Sequence, residues 1–277
     1  MILTNILNVL LPILYAVIVL FYGISFFKAD DSKGKFYERF RRPLLILIIL
    51  VQFVYFLIRS ITVQHAPVTT VFEILTLLAF SLSVTYLYIE VKTKVLDTGF
   101  FILLIAGALQ IISSLFIKEL TEINEVLKNW LLGFHVTCAL IGYSAITISG
   151  IYGFLYIMLY HSIKKNKLGP VFRRLPSLHL LESLAYNAII FGFIFLTLTI
   201  LIGVIWLPRA IKDFSYFDPK LIVTVIIWLL YSIGFVSKKA GNLESRTVMS
   251  LAFFGFVFAI LSMAVVNIFL TSFHKFY

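Results

Sequence analysis

Eight apolar runs of roughly 17–25 residues or more constrain this chain more than any other feature, because about 20 apolar residues make a helix that crosses a bilayer. They are read as Ile6–Phe27, Leu44–Thr62, Thr70–Tyr88, Gly99–Ile117, Trp130–Tyr160, Leu184–Leu207, Leu221–Val236 and Val248–Thr271. A soluble fold could not cover them. Of the 277 residues, 61% are hydrophobic and 13% charged, where soluble domains run near half apolar and about a quarter charged. The expected fold class is an all-α polytopic membrane protein, a bundle of eight transmembrane helices forming a single integral membrane domain over residues 1–277. The fifth run is over-long and should tilt or project, and the seventh is short and should extend by a turn. No repeat, low-complexity stretch or soluble domain interrupts the pattern. The first run is expected to remain as a span, since no small-residue cleavage pattern precedes the basic stretch after it.

The formal net charge is +10. Such an excess can signal a nucleic-acid partner, but here it follows the loops. Sixteen of the 23 lysines and arginines fall in the alternate segments 28–43, 89–98, 161–183 and 237–247. Basic loops stay on the cytoplasmic side. Both termini are therefore expected outside, with the lipid bilayer as partner and no nucleic acid. The outer face then holds the hairpin with His65, the start of the fifth helix with His135, the loop "DFSYFDPK" (213–220), and the end of the eighth helix with His274. The single cysteine, Cys138, rules out an internal disulfide and a cysteine-only metal cage, and leaves no Cys-x-x-Cys-His for covalent haem. A small buried filler is its expected role.

His135, Ala139, Gly142, Ile146, Ser149 and Gly153 recur at helical steps, a small-residue stripe that should face other helices. Gly255, Ala259, Ser262, Asn267 and His274 repeat the arrangement in the last helix. Each histidine crowns its stripe. Two such imidazoles can be ordinary interfacial polar groups, or can ligate the iron of a flat macrocycle from opposite sides. Near the second helix end stands Arg59, with Glu73 read two turns into the third helix. They form either an ion pair or, for Arg59, a contact to an anionic ligand group. His161 and His179 read as solvated. Trp130, Trp206 and Trp228 sit near helix ends as interfacial tryptophans do, and Trp206 borders the aromatic loop where it can serve as a ligand wall.

The fragments "RSITVQHAPVTTVFE", "FHVTCALIGYSA", "LESLAYNAIIFGF…GVIW", "YFDPKLIVTVIIWLLY" and "VNIFLTSFH" stand in the order seen in cytochrome c assembly proteins. The chain from Arg59 to His274 resembles that family, which comprises CcsA and CcmC haem-handling proteins and their HemX-like relatives. The resemblance implies non-covalent haem b on the outer face, with His135 and His274 as axial ligands to its iron. It also implies a loop platform of Tyr216, Phe217 and Asp218, a wall at Trp206, and Arg59 toward a propionate. Asp218, Pro219 and Lys220 match the end of the loop motif, and Trp228 and Tyr231 the helix after it.

The chain departs from the family pattern in places. Ser215 and Phe217 stand where the loop's tryptophans belong, Leu221 replaces an acid, and Val236 replaces a helix histidine of CcsA-type members. The resemblance thus implies partial haem occupancy. It points to haem handling in cytochrome c assembly as part of an attachment system rather than an enzyme alone, with apocytochrome c or a second CcsB/ResB-like membrane protein as partner. Alternatively, the degenerate loop is similar to that of HemX-like regulators of haem biosynthesis acting through protein partners. The expected location is a bacterial inner membrane or a thylakoid. A transporter fits less well, since no pair of Gly/Pro-broken helices appears and only Glu73 reads as a membrane-depth acid.

Overall fold

The computed structural model describes residues 2–28, 32–63, 67–68, 70–95, 97–117, 130–166, 169, 172–210, 214–240 and 243–269. Among these residues there are eight α-helices: α1 (Ile2–Phe27), α2 (Ser32–Val63), α3 (Val71–Thr93), α4 (Gly99–Phe116), α5 (Trp130–Lys164), α6 (Leu178–Ala210), α7 (Pro219–Ala240) and α8 (Ser245–Phe269). Each is long and apolar enough to span a membrane, so all eight expected spans are present. This is an integral membrane protein. The over-long fifth run is one 35-residue helix, and α7 extends beyond its apolar run at both ends.

Helix ends differ from the hydropathy reading where charged residues were assigned to loops. The second helix starts at Ser32 and runs through the basic "RFRRP" stretch, although Pro43 lacks the N–H that would bond the carbonyl one turn back. The third continues to Thr93, where Lys94 closes it in the left-handed region (φ 57°) and donates its N–H to the Glu90 carbonyl.

The chain divides into two compact units. Unit 1 comprises Met1–Ile123 with Gly169–Pro176, and unit 2 comprises Asn124–Leu168 with Ser177–Tyr277.

In unit 1, α1 packs on α2 and α4, and α3 packs on α4 and α2. Their shared interior is unusually polar. Glu73, Thr76, Ser83, Tyr86 and Glu90 recur along one buried face of α3. The Tyr15 hydroxyl on α1 donates to Gln52 Oε1 (2.7 Å) and lies 2.8 Å from Ser83 Oγ. Gln52 Nε2 donates to the Thr76 carbonyl (3.0 Å) and to Gln110 Oε1 (2.9 Å), and Thr76 Oγ1 meets Ser113 Oγ at 2.6 Å. Four helices are tied by one satisfied network. In a bilayer, where apolar burial between helices is not driven by water, such bonds contribute about 0.6 kcal/mol each.

The network is flanked by two buried carboxylates about 25 Å apart along α3. Arg59 grips Glu73 Oε1 through Nε and Nη2, both at 2.7 Å. Glu73 lies in the first turn of α3, not two turns in, because Thr70 is the N-cap. Thr70 Oγ1 accepts the Glu73 N–H (3.1 Å) and Glu73 Oε2 accepts the Thr70 N–H (3.2 Å), a capping box. Glu90 is a second buried acid within α3, in the stretch that reads as a loop from the sequence. It is 0% exposed, accepting from Tyr22 OH (2.5 Å) and Arg42 Nε (2.8 Å).

In unit 2, α5 packs on α6 and α8, and α7 lies against α6 and α8. The α5 stripe faces neighbouring helices as its spacing predicts. A Cβ built at Gly142 would lie 3.2 Å from Leu196 of α6. One at Gly153 would lie 2.6 Å from the Met249 carbonyl of α8, so backbone meets backbone there. The half of the stripe nearer His135 thus meets α6 and the half nearer Gly153 meets α8.

Tyr231 ties α7 to α5 and α8. Its hydroxyl lies 2.8 Å from Ser149 Oγ and donates to the Ile146 carbonyl (3.2 Å), while its ring packs 3.1 Å from a Cβ built at Gly255. Tyr231→Phe should lower stability in detergent by about 1–2 kcal/mol, the cost of removing one partner from a buried hydrogen-bond set. Thermal unfolding followed by circular dichroism would check this, and an unchanged midpoint would count against the tie.

From the basic asymmetry across alternate loops we propose that both termini lie outside. Reporter fusions after Arg42, Lys167 and Lys239 should all read cytoplasmic, and an external signal at any one would overturn that orientation.

Candidate functional site

His135 lies in the second turn of α5, half-buried, with its imidazole laid against α6 at Gly203. A Cβ at Gly203 would stand 3.2 Å from His135 Cε1 and 3.7 Å from Nδ1, and the Nδ1 atom is buried. Three residues beyond Gly203, near the end of α6, is Trp206, half-buried and one helical step along the side that meets His135. Cys138 is buried, as a filler should be.

The loop from α6 to α7 is described from Phe214 onward. Ser215 organises it: its carbonyl accepts the Asp218 N–H (3.2 Å) and its Oγ accepts the Phe217 N–H (3.2 Å). This is a β-turn with Ser at its first position, a residue favoured there for such a side-chain bond. Tyr216 and Phe217 occupy the tip. Phe217 is 85% exposed and Tyr216 56%, and Phe214 packs edge-on against Tyr216 at 4.8 Å. Asp218 points the other way. It is 4% exposed, its Oδ1 accepts the Lys220 N–H (2.9 Å) and its carbonyl accepts that of Ile222. Asp218 is thus the N-cap of α7 and Pro219 its first residue, a favoured pair at a helix start.

Below the loop, Thr224 Oγ1 donates to the Lys220 carbonyl one turn back (2.7 Å). Trp228 Nε1 donates to Thr197 Oγ1 of α6 (2.7 Å) while its ring stacks on Phe193 at 5.6 Å. Trp228 therefore sits within the packed α6–α7 contact.

The site residues named from the sequence are placed as follows. His135 lies against the stretch of α6 at Gly203, and Trp206 stands three residues further along the same helix. Tyr216 and Phe217 present their rings, and Asp218 anchors the loop they ride on. Arg59 belongs to unit 1, where Glu73 engages its guanidinium. His65, Asp213 and His274 lie outside the described residues. Sequence reasoning missed Gly203, whose signal was a glycine inside an otherwise branched apolar helix run, a mark of close approach. It also missed Glu90, hidden in a stretch that reads as loop.

A haem supplies four of its iron's ligands itself and leaves two axial positions, so it asks for imidazole nitrogens and apolar or aromatic walls rather than a cage of donors. One inward imidazole and exposed rings at a braced turn fit that requirement. Among the described residues no three of His, Cys, Asp and Glu cluster to hold a bare metal ion.

This architecture is a polytopic helical membrane protein with a histidine and an aromatic loop in its second unit. The sequence profile of the cytochrome c assembly protein family matches residues 68–274, and the chain belongs to that family. It is similar to Protein HemX of Bacillus subtilis (strain 168), 30% identical over 225 residues that cover 79% of each chain. Protein HemX of Brevibacillus brevis is 29% identical over 227 residues, covering 79% of this chain and 80% of the relative. The cytochrome c biogenesis protein CcsA of Chlorella vulgaris is 27% identical over 236 residues, covering 73% and 74%.

Proposed function

We propose that this protein binds one haem b non-covalently at the outer end of unit 2, between His135 and His274, and handles or delivers it in cytochrome c assembly. The observation that carries the reading is His135. Its ring is half-buried and braced by α6, it lies within the matched residues 68–274, and the resemblance to the family casts it as an axial ligand. Haem bound there would supply the group that is transferred to, or sensed on behalf of, a cytochrome.

The chain's own residues hold and orient. His135 offers an imidazole nitrogen, and α6 fixes its ring. Tyr216 and Phe217 offer apolar rings for the macrocycle, and Ser215 and Asp218 stiffen the turn that bears them. Tyr231 and Trp228 lock α7, so the loop starts from a fixed base. The absence of tryptophan at 215 and 217 lowers the stacking area, so occupancy below one haem per chain is expected. The partner that completes delivery would be apocytochrome c or a second assembly protein of CcsB/ResB type.

A second reading has its own support. Both HemX relatives are slightly more similar to this chain than the CcsA relative. In that reading the chain regulates through a protein partner and haem is optional. The pyridine haemochrome of protein purified from haem-replete cells separates the two. A substoichiometric but reproducible haem content supports haem handling. Folded protein without haem that co-purifies with a stoichiometric protein partner favours regulation.

A further inference from the structure

Resting on the haem reading, we propose that Gly203 is a positioning residue for His135: by carrying no side chain it lets the Nδ1–Cε1 edge of the imidazole seat against α6, which sets the direction in which the ring can reach iron. The atoms nearest to a Cβ built at Gly203 are Cε1 at 3.2 Å, Leu207 Cδ1 at 3.6 Å and Nδ1 at 3.7 Å. Nδ1 is also enclosed, so this edge of the ring is held against the helix wall before any ligand arrives.

Glycine costs helix stability relative to alanine, so its presence inside α6 calls for a spatial reason. The space is the reason. A contact at 3.2 Å is tighter than carbon normally allows, and Leu207, itself buried, flanks the same spot. Even alanine would press the imidazole outward by a few tenths of an ångström, and valine by more. Gly234 of α7 carries no such demand, since a Cβ there would meet nothing closer than 3.7 Å. The contact fixes ring orientation as second-shell partners do around metal-bound histidines, but by shape instead of a hydrogen bond.

The test uses full-length protein in detergent, first free of haem and then reconstituted with it. In the haem-free state, ¹⁵N-histidine NMR resolves the five imidazoles. Gly203→Ala should move the His135 signals alone, and Gly234→Ala should move none. With haem, Gly203→Val should weaken retention about tenfold, the low end of what second-shell changes do at metal sites, and Gly203→Ala should do so less. Free imidazole should restore the low-spin spectrum. In a His135→Ala background, Gly203→Ala should have no further effect on the spectrum, which a general packing defect would not mimic. An unmoved His135 signal in Gly203→Ala overturns the positioning role while the haem reading stands. A His135 signal that moves in a wild-type protein that takes up no haem overturns the haem reading and the ligand role with it.

Discussion

Arg59→Met alone is expected to destabilise unit 1 by about 3–5 kcal/mol, the cost of leaving one member of a buried ion pair uncompensated. Against a total stability of roughly 5–15 kcal/mol, that loss should sharply reduce the yield of folded protein. The geometry sets the size of the effect. Arg59 is 6% exposed and Glu73 2%, and both guanidinium contacts at 2.7 Å go to Oε1. Without Arg59, Glu73 keeps its Oε2 bond to the Thr70 N–H but loses the guanidinium that balances its buried charge. Glu73→Gln alone should also be costly, since it strands the guanidinium, although a glutamine preserves the capping box. The double variant Arg59→Met/Glu73→Gln leaves no unpaired charge and should recover most of the loss. Detergent-solubilised yield and thermal midpoint across the four proteins give the coupling directly. Additive losses would show that the pair does not interact.

His135→Ala should convert a low-spin, two-histidine haem protein into a five-coordinate or haem-free one, and His274→Ala should do the same. Removing an axial imidazole deletes one of only two protein bonds to iron, so the effect on occupancy should exceed that of any change in the loop. Added imidazole should fill the vacated position and partly restore six-coordination. His65→Ala, His161→Ala and His179→Ala serve as controls and should leave the spectrum unchanged. If either ligand variant kept parental occupancy and band positions, that histidine would not bind iron.

The spans were legible because each must satisfy one requirement, a long apolar run, that no distant residue can change. Their ends were less legible. Glu90 sits in "YIEVKTK", which reads as a solvated loop, yet Tyr22 on α1 and Arg42 on α2 close over it and carry the helix through to Thr93. Tertiary partners decided that boundary. The Arg59–Glu73 pair was legible because a tight hairpin brings two charges of opposite sign to one depth. The Thr70–Glu73 capping box was equally local, a Thr-x-x-Glu before an apolar run, and it puts Glu73 in the first turn.

At the candidate site, the inward stripe beneath His135 could be read from its spacing, but its partner could not. Periodicity says that a face is buried, not which helix covers it, so the seat at Gly203 appears only once α5 and α6 are packed. The resemblance casts Asp218 as a charge for the edge of a haem. Asp-Pro at a helix start instead has a sufficient local role, and Asp218 Oδ1 is engaged by the Lys220 N–H.

The proposed haem on His135 should be visible in the absorption spectrum of the reduced wild-type protein, purified in mild detergent beside His135→Ala. The expected result is a low-spin spectrum with a sharp Soret band and resolved α and β bands in the wild type, at partial occupancy, and loss of that spectrum in the variant. A well-folded wild-type protein with no haem absorption, or a His135→Ala protein with the parental spectrum, would contradict it.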